Sequence, residues 1–313
     1  MKKVFLRADG NHAIGWGHVS RMIALGEILA DDFSVTLLSR DKVDAPIPTL
    51  QIQDESAFIS LLGEDSIAVL DGYHFGLDFQ RAIRQSGAKL VCVDDYQHQS
   101  YLADVVINHA PGVREDMIQA LPETQYLLGP QYALLRKSFL EPYSRGKTQR
   151  FEHAFICFGG SDVLDLSYAT AKVLNSIDRV KSITLIVGKD YKGKCKELDN
   201  SKLSIFENLD ATQMRDMIRA ADFGLVSAST LLFECLSQEL FCISGYYVNN
   251  QQAIYDGFLN QGVISGLGDL TTISKKIIEK KVTHLDDHSK LAIIESIFDG
   301  RIKERYISYF NDL

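Results

Sequence analysis

One short segment, residues 7–21, places a histidine and two glycines where a bound ligand could meet them. An apolar, strand-like run enters a polar loop that tightens at Gly15 and Gly17, and a helix is predicted to begin at His18. Glycines at a strand-to-helix turn let a ligand approach the backbone closely, and the free N–H groups of a helix start favour anions. A histidine there can exchange a proton beside a bound phosphate or sugar.

The same segment has a plainer interpretation. Many strand–Gly–helix turns only close a βα unit, and a histidine near a helix start can simply cap the helix. The G-x-G-H pattern alone leaves both interpretations open. Further phosphate-type turns in the second half of the chain favour the functional one.

The first of these turns is G-G-S-D at residues 159–162, which follows a strand and opens a helix. Gly160 allows tight backbone geometry, and Ser161 or the aspartate can cap the helix. Capping alone would explain the serine and the aspartate, so this turn predicts a phosphate site less strongly than the next one.

The second turn, residues 227–234, also joins a strand to a helix. Ser229 and Thr230 place hydroxyl groups at the positive end of the helix dipole. Glu234 follows about one helical turn later, where its carboxylate can accept two hydrogen bonds from a ribose diol. The alternative for Glu234 is an exposed helix residue.

Three other positions are candidates for contact with a sugar. Tyr73 follows a strand end and can reach a sugar, or it can pack on a helix. Asn250 and Gln251 start a helix, where side-chain amides can bind hydroxyl or acetamido groups.

For the pair Asp94 and Asp95, at the end of another strand, a structural role is favoured, in which the carboxylates hold neighbouring loops.

Apolar strands alternate with helical patterns almost throughout, which predicts parallel βαβ units. We therefore predict an α/β protein of two Rossmann-like doubly wound domains, residues 1–145 and 150–290, joined by a polar linker and facing across a cleft, with a C-terminal helix at 291–313. Ligands bind beyond the carboxyl ends of the strands in such sheets. Strands are predicted at 3–8, 34–38, 67–70, 89–93, 104–107, 153–158, 182–187, 203–206, 222–226 and 240–244.

Composition excludes several classes of function. The 313 residues carry a formal net charge of -8, which argues against non-specific nucleic-acid binding. The N-terminal apolar run is too short for a signal peptide or a membrane span, so a cytoplasmic protein without membrane contact is expected. The 5 cysteines show no C-x-x-C pairing and are expected to be reduced. No metal-ligand spacing is evident, and neither a metal nor a cofactor is expected.

The motifs R-A-D…I-G-x-G-H-x-x-R, D-x-Y, D-D, G-G-S-D, S-x-x-T…E and N-Q occur in the order found in one family. From Arg7 to Gln251 the chain resembles the UDP-2,4-diacetamido-2,4,6-trideoxy-β-L-altropyranose hydrolases (PseG) of pseudaminic acid synthesis. That family resembles the murein UDP-N-acetylglucosamine transferase, and the resemblance implies the GT-B fold. Trp16, between the two glycines of the first motif, is bulkier than the family pattern.

The resemblance implies a role for each candidate residue. His18 would be the general base that activates a water, with inversion at the anomeric carbon and UDP leaving. Tyr73 and Asn250 would face the sugar and position that water. The substrate-binding set would comprise Arg7, Gly15, Gly17, Arg21, Gly160, Ser161, Ser229, Thr230, Glu234 and Gln251. For Arg7 and Arg21, phosphate binding and bracing of the loop are both open.

Three functions are compatible with these residues. The first is hydrolysis of a UDP-sugar, with that substrate as the partner and a monomer as the expected state. The second is a GT-B glycosyltransferase that delivers the sugar to an acceptor. The third is a non-catalytic protein that binds nucleotide sugars.

Overall fold

The computed structural model describes residues 1–10, 16–95, 100–146, 150–189, 191–198, 201–285 and 290–313. The chain forms two compact units. The first unit is Met1–Leu140 with Gly300–Leu313, and the second is Glu141–Asp299. The division at Leu140 falls at the start of the polar linker.

The first unit contains a seven-stranded sheet in which all neighbouring strands are parallel. Its strand order is β3-β2-β1-β4-β5-β7-β9, and β6 pairs with β8 in a separate ribbon. All six residues of β4 are buried, as expected for a central parallel strand covered on both faces. The strands are β1 Lys3–Arg7, β2 Ser34–Ser39, β3 Thr49–Gln51, β4 Ser66–Asp71, β5 Lys89–Val93, β6 Ser100–Tyr101, β7 Val105–Asn108, β8 Gln119–Ala120 and β9 Gln125–Leu128.

The second unit contains a six-stranded parallel sheet of order β12-β11-β10-β13-β14-β15. Its strands are β10 His153–Cys157, β11 Ser182–Val187, β12 Leu203–Glu207, β13 Phe223–Ser227, β14 Phe241–Tyr246 and β15 Ser265–Asp269. The α-helices of the two units are α1 Gly17–Leu29, α2 Glu55–Ile59, α3 Leu77–Gln85, α4 Leu166–Asn175, α5 Ala211–Ala220, α6 Thr230–Ser237, α7 Asn249–Asn260, α8 Lys275–Thr283, α9 Lys290–Ile297 and α10 Ile302–Asp312.

Both sheets reverse their strand order at one point. In the first unit the chain passes from β1 to β2 and β3 on one side, and then continues with β4 on the other side of β1. In the second unit the same reversal occurs between β10 and β13. In doubly wound sheets, ligands bind outside the carboxyl ends of the strands at this point.

The predicted fold class is confirmed: each unit is a Rossmann-like doubly wound sheet. The ten predicted strands agree with the structure within two residues. Prediction missed the strands β3, β6, β8, β9 and β15 and the helix α8. The three residues of β3 are all exposed, and β15 includes two glycines, so neither segment has an apolar pattern to reveal it.

The C-terminal segment differs from the single helix expected at 291–313. It contains two helices, α9 and α10, and α10 belongs to the first unit. Tyr306 and Phe310 of α10 are fully buried, and the Tyr306 hydroxyl donates to the Tyr132 carbonyl at 2.6 Å. The Phe310 ring lies 6.1 Å from that of Phe33, between centroids. Burial of these aromatic side chains explains why α10 completes the first unit.

Candidate functional site

His18 is the second residue of α1, which follows β1 at the reversal of the first sheet. Helix α1 begins after Trp16, which makes no side-chain capping hydrogen bond. A Cβ added at Gly17 would meet no atom within 4 Å, so the start of the helix is open on that side. Gly15 lies outside the residues that the structure describes.

The His18 ring contacts a carboxylate from the neighbouring strand. Its Nδ1 lies 2.7 Å from Oδ1 of Asp71, the last residue of β4. The His18 side chain is 13% exposed, whereas that of Asp71 is 1% exposed. The pair therefore forms at the carboxyl ends of the adjacent strands β1 and β4, where the strand order reverses, and the carboxylate is the buried partner.

Arg21, one helical turn after His18, holds the same carboxylate. Its Nε donates to Asp71 Oδ2 at 2.8 Å and its Nη2 donates to Asp71 Oδ1 at 2.6 Å. Its Nη1 donates to Oδ2 of Asp95, which follows β5. Burial acts to lower the pKa of Arg21, but the charges of Asp71 and Asp95 outweigh burial and raise it. The buried guanidinium is thus a permanent cation between two carboxylates.

These contacts determine the tautomer of His18. Burial acts to raise the pKa of Asp71, but the charge of Arg21 and the hydrogen bond with His18 outweigh it, and the pKa lies below its ordinary value. An ionised carboxylate only accepts hydrogen bonds, so the Nδ1 atom that faces it must carry a proton. Arg21 Nη2 also lies 2.8 Å from Nδ1 and has a second N–H, but a lone pair on Nδ1 would then face the Asp71 oxygen at 2.7 Å, which is repulsive. We therefore assign the neutral His18 ring a proton on Nδ1 and a lone pair on Nε2.

Tyr73 adjoins His18 and is held by the second carboxylate. The two ring centroids are 4.8 Å apart in an edge-to-face arrangement. The Tyr73 hydroxyl donates to Asp95 Oδ1 at 2.9 Å, and the residue is 45% exposed. Tyr73 is therefore not packed into the core, and its ring lies against that of the histidine.

Arg7 belongs to a separate buried network. Its Nη1 and Nη2 donate to the two carboxylate oxygens of Asp9 at 2.5 and 2.7 Å, and its guanidinium lies 5.0 Å from the centroid of the Phe75 ring. Asp9 also accepts from the backbone N–H of Arg40 at 2.7 Å and contacts His74 Nε2 at 3.1 Å. Full burial of Arg7 favours bracing of the loop over phosphate binding. Arg21 is also favoured as a bracing residue, because all three of its guanidinium nitrogens donate to Asp71 or Asp95.

In the second unit, the G-G-S-D turn leaves Gly160 and Ser161 exposed after β10. The Asp162 carboxylate is buried and accepts from the backbone N–H groups of Leu166 and Ser167 at 2.9 and 2.8 Å. Of the two capping residues predicted, Asp162 therefore caps α4. Gly188, after β11, approaches the same turn so closely that an added Cβ would lie 2.4 Å from the Gly160 carbonyl oxygen.

The next turn joins β13 to α6. Ser229 is the residue before α6 and makes no side-chain capping hydrogen bond to the helix, while Ser227 Oγ donates to Ser229 Oγ at 3.3 Å. Thr230 is the first residue of α6 and is half-buried. Glu234 is only 3% exposed, so it is not the exposed helix residue of the alternative interpretation.

The third turn of this edge joins β14 to α7. Asn250 is half-buried in the first turn of α7, while Gln251 is buried and its Oε1 accepts from the Tyr247 N–H at 3.1 Å. The Tyr247 hydroxyl donates to the Phe158 carbonyl at 3.1 Å, which joins this turn to the one after β10. The structure thus brings Gly160, Ser161, Ser229, Thr230, Glu234, Asn250 and Gln251 to the carboxyl edge of the second sheet.

Sequence reasoning did not identify Asp71 and Asp95 as partners of the candidate base. Asp94 has the structural role expected of the aspartate pair, since it accepts from Tyr101 Oη and Asn108 Nδ2, both at 2.8 Å. Asp95 instead joins Arg21 to Tyr73. One signal was present: the i, i+3 spacing of His18 and Arg21 places both on one face of α1, above strands that end in carboxylates.

The described residues show neither a metal-binding cluster nor a helix that could span a membrane. They contain no group of three or more His, Cys, Asp or Glu side chains that could hold a metal ion. None of their helices has the length and hydrophobicity needed to span a lipid bilayer.

Comparison with known proteins supports the resemblance. The UDP-2,4-diacetamido-2,4,6-trideoxy-beta-L-altropyranose hydrolase of Campylobacter jejuni is 25% identical over 262 residues, which cover 80% of this chain and 94% of that protein. The predicted resemblance is confirmed. The spore coat polysaccharide biosynthesis protein SpsG of Bacillus subtilis is 25% identical over 288 residues, 83% of this chain and 82% of SpsG. No protein-family model matches the chain.

Structural comparison confirms the fold. MurG of Acinetobacter baumannii superimposes with a TM-score of 0.69 at 14% identity and covers 100% of both chains. The chain therefore has the GT-B fold, built from the two Rossmann-like units described above.

Proposed function

We propose that this protein is a UDP-sugar hydrolase that acts in the synthesis of a glycan of the pseudaminic acid type. The proposal rests chiefly on His18, whose Nδ1 is held by Asp71 so that Nε2 is left to accept a proton. Support comes from the named activity of the Campylobacter relative and from the polysaccharide biosynthesis named for SpsG. The substrate class is a UDP-linked amino sugar, of which the diacetamido-trideoxy sugar of that relative is the first candidate.

In the proposed reaction, Nε2 of His18 takes a proton from a water molecule. The water oxygen forms a bond to the anomeric carbon while the bond from that carbon to the β-phosphate oxygen breaks. UDP leaves with the electron pair, and a single displacement inverts the anomeric configuration. UDP is a good leaving group, so the protein has only to supply a base, a positioned water and stabilisation of the diphosphate charge.

The nucleotide is assigned to the second unit. Asp162 already caps α4, so the diphosphate is assigned chiefly to the start of α6, where Ser229 makes no side-chain capping hydrogen bond and the helix dipole favours an anion. Gly160, Ser161, Ser229 and Thr230 line the turns after β10 and β13, and the Glu234 carboxylate is assigned to the ribose diol. Asn250 and Gln251 are assigned to the sugar.

The first test is incubation of the purified protein with a UDP-linked diacetamido-trideoxy sugar and no acceptor. Release of UDP and free sugar is expected, and His18→Asn is expected to reduce turnover by about 10²–10⁴-fold, the usual contribution of a positioned acid–base group. UDP affinity, measured by calorimetry, should stay nearly unchanged. Full turnover by the variant would remove His18 from the mechanism, and turnover only with an added acceptor would identify a transferase.

The ribose assignment has its own test. Glu234→Gln should weaken UDP binding by about tenfold, because hydrogen bonds to a charged group contribute roughly 1.5–3 kcal/mol. Pyrophosphate, which lacks the ribose, should bind variant and parent equally well. Equal affinity for UDP in variant and parent, measured by calorimetry, would refute the assignment.

A further inference from the structure

A second histidine–carboxylate pair lies beside the pair of His18 and Asp71. His74, shortly after the end of β4, places its Nε2 atom 3.1 Å from Oδ2 of Asp9, which follows β1. The two pairs therefore run in opposite directions between the same two strand ends, since His18 follows β1 and Asp71 ends β4. Both histidines lie where the strand order of the first sheet reverses, and the proposed reaction uses only His18.

The ring of His74 is held against the backbone that follows Asp71. Its centroid lies 4.0 Å from that of Phe75. A Cβ added at Gly72 would lie 3.1 Å from Cε1 of His74 and 3.3 Å from its Nδ1, so the glycine leaves the space that the ring fills. The His74 side chain is nevertheless 41% exposed. The ring is therefore packed on one side and open on the other.

Asp9 determines which nitrogen of His74 carries the proton. The Asp9 carboxylate also accepts from both terminal nitrogens of Arg7 and from the Arg40 N–H. Burial acts to raise the pKa of Asp9, but its hydrogen bonds with His74 and Arg7 outweigh burial, and the pKa lies well below its ordinary value. An ionised carboxylate only accepts hydrogen bonds, so Nε2 of His74 carries a proton and the neutral ring has its lone pair on Nδ1. Within the described part of the chain, no group donates a hydrogen bond to that Nδ1.

We propose, on the basis of the proposed function, that His74 is a specificity residue whose Nδ1 accepts a hydrogen bond from an acetamido N–H group of the sugar. The sugar named for the Campylobacter relative carries acetamido groups at carbons 2 and 4. The N–H of such a group can only donate, and a neutral Nδ1 with a lone pair can only accept, so the two match. Because Asp9, Phe75 and Gly72 already hold the ring, little side-chain freedom is lost when it binds a ligand.

The experiment uses calorimetry to compare three nucleotide sugars. They are the UDP-linked diacetamido-trideoxy sugar and its two analogues in which one acetamido group is replaced by an acetate ester, which has no N–H. All proteins carry His18→Asn so that the nucleotide sugar is not consumed. One of the two esters should bind about fivefold more weakly than the diacetamido sugar, the usual effect of one hydrogen bond. When His74→Phe is added, which keeps an aromatic ring against Phe75, that ester and the diacetamido sugar should bind equally well.

The matched control is Ser39→Ala. Ser39 Oγ donates to Asp9 Oδ1 at 3.3 Å, so this change also removes a hydrogen bond from Asp9 but leaves His74 in place. The protein with Ser39→Ala should keep the fivefold preference for the diacetamido sugar. The proposal would be overturned if the three nucleotide sugars bound equally before His74 is changed, if the preference survived His74→Phe, or if Ser39→Ala also abolished it.

A second readout follows the ring itself. Two-bond ¹H–¹⁵N NMR of the imidazole rings should show His74 protonated on Nε2 at neutral ring charge, with its signals assigned by their loss in His74→Phe. In the His18→Asn protein, addition of the diacetamido nucleotide sugar should shift the Nδ1 signal of His74, and addition of UDP should not. Protonation on Nδ1, or an equal shift with UDP, would overturn the proposal. Absence of hydrolysis by the parent would instead overturn the proposed function, while the affinities and spectra would still decide the role of His74.

Discussion

His18 acquires its chemistry from the charges beside it. A neutral imidazole can carry its proton on either nitrogen, and only one choice leaves Nε2 able to act as a base. The Asp71 carboxylate is held ionised by Arg21, and it lies 2.7 Å from Nδ1. The partner of a catalytic histidine fixes its tautomer in this way in many enzymes, and loss of the partner costs turnover even when the ring stays in place.

His109 offers a residue-scale test of the buried charge network. Burial, together with the positive charge of Arg21, lowers the pKa of His109 to about 4. In the unfolded chain its pKa is about 6.5, so as the pH falls from 6.5 to 4 the unfolded state takes up a proton that the folded state refuses. The stabilisation present above pH 6.5 is therefore lost across this range, and its size is roughly 3 kcal/mol.

We expect His109→Asn to flatten the fall in the free energy of unfolding between pH 7 and pH 4.5. Urea denaturation at the two pH values can be followed through the fluorescence of Trp16. This residue is the single tryptophan of the sequence, and it lies in the same unit as His109. Parallel declines in parent and variant would show that His109 does not resist protonation in the folded protein.

At this scale the sequence indicated His18, Tyr73 and the hydroxyl-bearing turns, because each lies beside a glycine or at a strand end. It could not reveal the pairing of Arg21 with Asp71 and Asp95, which are separated from it by 50 and 74 residues. Pattern reasoning also left two roles open for Arg7. Burial supplies the physical reason to favour bracing, since a side chain that is 0% exposed and paired with Asp9 has no surface to offer a phosphate.

At the scale of elements, both sheets place their candidate residues where the strand order reverses. His18 follows β1 and Asp71 ends β4, and these are the two strands at the reversal in the first unit. The turns after β10 and β13 have the same relation in the second unit. Adjacent helices leave in opposite directions at such a point, which creates a crevice above the strand ends.

The turn after β10 can be tested through its glycines. Gly159 has a φ of +103°, and a Cβ added there would lie 3.3 Å from the Tyr247 hydroxyl. Gly159→Ala should therefore lower the free energy of unfolding by roughly 1–2 kcal/mol. Gly160→Ala is the matched control, because an added Cβ there meets no atom within 4 Å.

Thermal unfolding of the two variants checks this prediction. The expected order is a lower melting temperature for Gly159→Ala and a nearly unchanged one for Gly160→Ala. Equal melting temperatures would show that the turn relaxes without strain.

Most elements could be predicted because buried parallel strands consist of continuous apolar runs, of which β4 and β10 are examples. The missed strands β3 and β15 lack such runs. The membership of α10 in the first unit was also beyond prediction, because the contact of Phe310 with Phe33 joins positions far apart in the chain. Amphipathicity predicts that a helix packs, and not on which sheet it packs.

At the scale of the whole molecule, the GT-B fold is shared by enzymes that transfer sugars, so the fold alone does not decide between water and an acceptor. We assign the base to the first unit and the nucleotide to the second. In the proposed reaction, water attacks the anomeric carbon and not the phosphorus of the diphosphate. Hydrolysis at phosphorus would also release products without an acceptor, so product release alone does not separate the two.

Reaction of the UDP-sugar in water enriched with oxygen-18 separates them directly. Attack at carbon leaves the glycosidic oxygen on the β-phosphate, so we expect UDP without heavy oxygen, as measured by mass spectrometry and by the isotope shift in ³¹P NMR. Incorporation of oxygen-18 into the β-phosphate of UDP would contradict it.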